Sequence, residues 1–181
     1  MGRKPDNSGV QSADDNRNGH SYSATMTATG EIRRAKVEDA RQIRALTLKS
    51  YAKWVGVTPR KPRPMTADYD TAIRENRFDC LHIDGVMVGL IETVPQGDQL
   101  MIVNVAVDPD RQHCGYGVRL MRHAEKLARD AGLDATRLYT NKLMVENIEL
   151  YERLGYCFEK ETFHDHGTVA VHMVRSLRGS T

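Results

Sequence analysis

A mixed α/β domain, with a central mixed sheet of about six to seven strands and helices on both faces, is the fold class the sequence predicts. Three observations carry it. Apolar runs of strand length are rich in β-branched residues, amphipathic stretches of helical period lie between them, and helix and strand alternate after a central meander.

Residues 1–29 are dominated by Ser, Asn, Asp, Gly and Thr, so burial there cannot offset the entropy of ordering the chain. A disordered tail, or a leader ahead of Met26, is expected, with one domain over residues 30–178. Glu31–Ala35 reads as a strand. From Glu38 a helical pattern places Ile43, Leu46, Ser50, Tyr51 and Trp54 on one face. Gly56–Met65 holds three prolines and must be a loop, after which Thr66 is the expected N-cap of a second helix reaching about Arg77. Phe78–Ile83 and Val86–Thr93 are strands joined by Asp84-Gly85, a dipeptide that tolerates the two positive φ angles of a tight hairpin. Beyond the turn at Pro95–Asp98, Leu100–Val107 reads as a buried strand. A long helix follows from about Gly115 to Ala131, with Leu120, Ala124, Leu127 and Ala131 as its expected buried stripe and Gly132 as its stop. Arg137–Thr140 is a strand and Met144–Leu154 a helix. Tyr156–Phe163 and Val169–Leu177 are the closing strands.

Composition removes several classes of function. The chain has 181 residues, which suits one domain, and no apolar run approaches the roughly 20 residues of a membrane helix. Arg3 and Lys4 are not followed by an apolar stretch, so no secretory signal is expected. Cys80, Cys114 and Cys157 are odd in number and far apart, which argues against a disulfide framework and for a reducing, cytoplasmic setting. A net charge of +2 with interspersed signs carries no footprint for nucleic acid or a membrane.

The stretch Val105-Ala-Val-Asp-Pro-Asp-Arg-Gln-His-Cys-Gly-Tyr-Gly117 is a strand, a short loop and a glycine-bearing helix start. A helix N-terminus offers unpaired N–H groups and partial positive charge, and glycines let an anion approach the backbone, so a phosphate or pyrophosphate is the expected ligand. Leu120 stands where a dinucleotide fingerprint needs its third glycine, and no Gly-Lys-Ser/Thr of a P-loop is present. What remains is Gln112-x-x-Gly115-x-Gly117 after Val107-Asp-Pro109. Further on, Asn147-Ile-Glu-Leu-Tyr-Glu-Arg-Leu-Gly-Tyr156 sets Asn147 and Tyr151 four apart on one helix face.

These two segments resemble motifs A and B of the GNAT superfamily of acyl-CoA-dependent N-acyltransferases, and the resemblance spans roughly Ile32 to Leu177 with the element order intact. It implies acetyl-CoA as cosubstrate and an N-acetyltransferase acting by direct attack of a primary amine, on a small molecule or a peptide. Carried over residue by residue, backbone groups of Val105, Ala106 and Val107 would pair with pantetheine. Gln112, His113, Cys114, Gly115, Tyr116, Gly117 and Val118 would hold the pyrophosphate, and Asn147 would orient the arm. Tyr151 matches the family's general acid. His113 and Cys114 stand where the family often has Gly and a basic residue. Met101-Ile-Val-Asn104 lacks the carboxylate that many members use as base. Glu92 on the neighbouring strand is the candidate in its place, against an exposed strand carboxylate or a water relay. A homodimer is left open, and no metal is expected: His164 and His166 alternate on one strand face without a third ligand, and a solvated face is the simpler reading. Arg60, Lys61 and Arg63 lie in the proline-rich loop, facing either solvent or a carboxylate on the acceptor. A non-catalytic acyl-CoA-binding sensor is the alternative function, and a plain phosphate- or nucleotide-binding domain a third.

Overall fold

The computed structural model describes residues 30–178; the expectation for residues 1–29 lies outside them. The chain runs β1 (Gly30–Arg34), α1 (Ala40–Tyr51), α2 (Tyr69–Glu75), β2 (Arg77–Ile83), β3 (Val86–Gln96), β4 (Gln99–Val107), α3 (Tyr116–Asp130), β5 (Ala135–Asn141), α4 (Val145–Arg153), β6 (Cys157–His164) and β7 (Thr168–Ser176). The strands form one seven-stranded sheet in the order β1-β2-β3-β4-β5-β7-β6. Every neighbouring pair is antiparallel except β4 and β5, which are parallel. The mixed α/β architecture of the sequence reading is the one observed.

Two apolar clusters hold helices on the two faces. On one side Ile43 and Leu46 of α1 and Tyr69 and Ile73 of α2 pack on Phe78, Cys80, Leu90 and Ala106. On the other, Leu120, Met121, Ala124 and Ala128 of α3 pack on Leu81, Ile91, Leu100, Ile102 and Leu138, with Ile148, Leu150 and Tyr151 of α4 against the same cluster. Gly89 on β3 permits the closest approach of α3, since a Cβ there would meet Leu120 Cδ1 at 2.9 Å.

The turns follow their residues. Asp84 and Gly85 take φ of 50° and 79°, both positive as a tight hairpin demands. Gly132 at φ 69° stops α3. Its N–H bonds Arg129 O at 2.9 Å while Leu133 N–H reaches Ala128 O at 2.9 Å, a Schellman pair.

Two expectations need correction. Thr66 is not an N-cap. The prolines on either side of Arg63 favour a 3₁₀ turn over Arg63–Thr66, and the Thr66 hydroxyl donates back to Arg63 O at 3.1 Å. The cap of α2 is Asp68, whose carboxylate accepts from Asp70 N–H at 3.1 Å and the Thr71 hydroxyl at 2.7 Å. The buried stripe of α3 is also rotated from the expected one: Ala131 is exposed, Leu127 is half-buried, and Met121, Glu125 and Ala128 are buried instead. A glutamate at that position is unreadable as core because one of its partners lies far along the chain. Arg175 of β7 lies 3.1 Å from it and Arg122 2.9 Å.

The feature that shapes the site is in β4. Glu92 pairs with Asn104 and Thr93 with Ile102, so Val103 is an extra residue, a β-bulge. Leu100 and Ile102 before it face α3, as do Val105 and Val107 after it, while Asn104 and Ala106 turn to the α1/α2 side. The bulge therefore inverts the alternation along the strand. Pairing of β4 with β5 ends at Ile102–Leu138, immediately before it. Beyond that point the two parallel strands part.

Candidate active site

β4 ends at Val107, and the Asp108 carboxylate accepts from Asp110 N–H at 3.0 Å to start a 3₁₀ turn over Pro109–Arg111. Lys49 of α1 bridges Asp108 at 2.6 Å and Asp110 at 2.7 Å, which anchors the turn and holds the Asp108 carboxyl below the usual carboxylate range. His113 takes φ 63° and Gly115 φ 78°, and Gly115 is the residue ahead of α3. Nothing lies within 4 Å of where a Cβ on Gly115 would sit. The first α-helical bond is Arg119 N–H to Gly115 O at 3.0 Å, so the amides of Tyr116, Gly117 and Val118 precede the ladder. Gln112 is half-buried, and His113, Cys114 and Gly115 are exposed. An open glycine face with first-turn amides is a cradle that fits an anionic group.

Where β4 and β5 part, a cleft of about 890 Å³ opens. Val105, Glu92, Asn147 and Tyr151 line it together, and Tyr51, Asn76, Asn104, Tyr139 and His172 join them. Glu92 is 7% exposed and accepts from Asn76 Nδ2 at 2.7 Å, so the reading of it as an exposed strand carboxylate does not hold. Burial pushes its pKa up, and the Asn76 bond opposes that rise. The Tyr51 hydroxyl donates to Asn104 Oδ1 at 2.9 Å, and Asn104 Nδ2 reaches the Tyr69 hydroxyl at 3.4 Å. Burial raises the Tyr151 phenol to about 12, so it is protonated at neutral pH. One turn earlier, Asn147 Nδ2 contacts Met144 Sδ at 3.7 Å.

The other expected residues lie outside the cleft lining. Ala106 is buried under α1 and α2, and the Val107 carbonyl already accepts from Ser50 Oγ at 2.8 Å. The segment from Gln112 to Val118 forms the cradle at the start of α3. His164 also lines the cleft, whereas His166 sits at φ 62° in the turn before β7. Among the described residues no group of three metal-capable side chains occurs, and no helix is long and apolar enough to cross a membrane.

Tyr51, Asn76 and His172 were not legible as site residues. Tyr51 looks like one more core position of α1, and Asn76 is the residue that ends α2. His172 hydrogen-bonds Thr162 Oγ1 at 2.9 Å from a strand that only the sheet order brings near β4.

Against family models, residues 42–156 match the acetyltransferase (GNAT) family. By sequence, no curated protein matches the chain significantly. Solved structures of similar fold include the ribosomal-protein-S18-alanine N-acetyltransferase from Escherichia coli, with a TM-score of 0.68 and 19% identity over 84% of this chain and 97% of that one. A GCN5-related N-acetyltransferase from Rhodopseudomonas palustris gives a TM-score of 0.70 at 19% identity, over 83% of this chain and 97% of that one. The PaiA N-acetyltransferase from Thermoplasma acidophilum, solved in complex with coenzyme A, gives 0.62 at 18% identity, over 80% and 98%. At these identities the likeness is one of fold.

Proposed function

The chain belongs to the GNAT acetyltransferase family, and from that premise we propose that it moves an acetyl group from acetyl-CoA to a primary amine of a small molecule or peptide by direct attack. The observation that carries this reading is the cleft between the parted ends of β4 and β5, which a phenol and a buried carboxylate, Tyr151 and Glu92, both line.

The neutral amine attacks the thioester carbonyl, a C–N bond forms and the C–S bond breaks. Two protons must move. The amine nitrogen loses one, and Glu92 is placed to accept it directly or through a water, its raised pKa bringing it nearer the working pH. The departing thiolate gains one, and the Tyr151 hydroxyl is the donor. Backbone groups of Val105 and the N–H of Val107 hold the pantetheine arm along the free edge of β4, the Ala106 carbonyl lying instead against Gly89 of β3, and an N–H there bonds the thioester oxygen as its charge grows. The Gln112–Val118 cradle takes the pyrophosphate, and Asn147 orients the arm from α4. Asn104, in place of a carboxylate, is what would favour a non-catalytic acyl-CoA sensor, and Glu92 beside it supplies the missing acid–base group.

The test is Tyr151→Phe, which deletes one hydroxyl and keeps the ring. With acetyl-CoA, an amine panel and a thiol reagent, kcat should fall by about 100-fold, the lower end for acid–base groups. The affinity for acetyl-CoA by calorimetry should change little. An unchanged kcat with chemistry rate-limiting would reduce Tyr151 to packing, and an equal loss of binding would make it a positioning residue.

A further inference from the structure

The segment Thr58-Pro-Arg-Lys-Pro-Arg-Pro64 forms one rim of the cleft, and its backbone is pinned. The buried Thr58 hydroxyl donates to Arg60 O at 2.7 Å, and Met65 N–H bonds Pro62 O at 2.9 Å. The Tyr69 hydroxyl, rooted in the α1/α2 cluster, donates to Pro64 O at 2.7 Å. Three prolines remove further backbone freedom. Arg60, Lys61 and Arg63 are thus carried on a preformed rim, all three exposed and all three lining the cleft.

Among the described residues none of the three has a carboxylate within salt-bridge distance, whereas Lys49, Lys53, Arg77, Arg137 and Arg175 all do. The carboxylates that line the cleft are Glu92, engaged by Asn76, and Asp165 in the turn between β6 and β7. The lining also includes the apolar Ala67, Ala72 and Ile102. At about 890 Å³ the cleft is within the size range of small-molecule sites, and the thioester end must share it.

Resting on the acetyl-transfer reading, the geometry points to an anion subsite at Arg60, Lys61 and Arg63 that selects, as acceptor, a small amine carrying its own carboxylate or phosphate. The amine end lies toward Glu92 and Tyr151, and the acid end meets the rim. An arginine can grip either oxyanion with two parallel N–H bonds, and the fixed backbone lowers the entropy lost on binding. Amines without an acid, and polyamines, gain nothing from this rim and are repelled by it.

The experiment compares matched acceptors: free amino acids against their carboxamides, and phosphoethanolamine against ethanolamine. Each acid should exceed its uncharged partner in kcat/KM by at least about tenfold, near 1.4 kcal/mol, and the margin should shrink as salt rises. The pair with the larger margin identifies carboxylate or phosphate as the preferred group. In Arg60→Gln/Lys61→Gln/Arg63→Gln, whose exposed positions leave the core untouched, the acid should drop to the level of its partner, mainly through KM. Lysine at positions 60 and 63 should restore part of the margin. Equal or better use of the uncharged partners, or a preference kept by the triple variant, overturns the subsite and leaves acetyl transfer standing. If no amine is acetylated while coenzyme A still binds, it is acetyl transfer that fails. Titration of the same acids by calorimetry then decides the subsite: heat lost in the triple variant supports it, and no heat with either protein overturns it.

Discussion

Glu92 and Asn104 face each other across β3 and β4, and of the two only the carboxylate can accept an amine proton at neutral pH. Burial lifts the Glu92 pKa and the Asn76 amide draws it part of the way back. A base must be deprotonated to work, so kcat should fall as pH drops through that raised pKa, above the ordinary carboxylate range. Asn76→Ala withdraws the bond that favours the carboxylate, so the midpoint of the acidic limb should move to higher pH. Glu92→Gln should erase the limb. An Asn76→Ala profile superimposable on that of the parent protein would show that another group titrates. At this scale the sequence was informative where chemistry is local and silent where it is not. Tyr151 and Asn147 share one helix face and could be paired from spacing alone. The contact between Asn76 and Glu92 joins the end of α2 to the middle of β3, and no periodicity reports it.

Among the elements, those made by short-range chemistry were legible: the Asp84-Gly85 hairpin, the Gly132 stop and the glycine-bearing start of α3. The β4 bulge was not. Leu100–Val107 reads as an apolar run interrupted by Asn104, and nothing in it announces that Val103 is extra and that Asn104 turns with Ala106 to the α1/α2 side. The stripe of α3 failed for a related reason, since Glu125 is buried only because arginines from α3 and β7 meet it. The cradle makes a sharp prediction. Gly115 sits at φ 78° with an open face, so Gly115→Glu puts both strain and negative charge where an anion should rest. Calorimetry should show coenzyme A binding nearly abolished while circular dichroism shows the fold retained. Gly117 lies in regular helix, where a Cβ would make only an ordinary 3.9 Å contact with Val107, so Gly117→Ala should fold normally and serves as the control for folding alone. Parent-like affinity in Gly115→Glu would place the pyrophosphate elsewhere.

Across the whole molecule, β1–β4 and β5–β7–β6 are two slabs whose strands meet at only four register pairs, Gln99–Ala135 to Ile102–Leu138. Beside these pairs, Asp134 N–H bonds Asp98 O at 2.8 Å at the closed end, α3 packs on both slabs, and Glu125 of α3 reaches Arg175 of β7. Past the fourth pair, Val103–Val107 and Tyr139–Asn141 each have a neighbouring strand on one side only. A sheet joined so briefly behaves as a zipper left part-way open, and whatever fills the gap becomes its clasp. A bound coenzyme A arm should therefore act as a mechanical coupling as well as a reactant. At 100 times its Kd it adds about 2.7 kcal/mol to global stability by linkage. The residue-level signature is distinct from that general gain. Amide hydrogen exchange should slow along both facing segments at once, 103–107 and 139–141, while β1 and β2 change far less. Protection confined to the start of α3 would mean that the two slabs stay uncoupled and that the arm lies outside the gap.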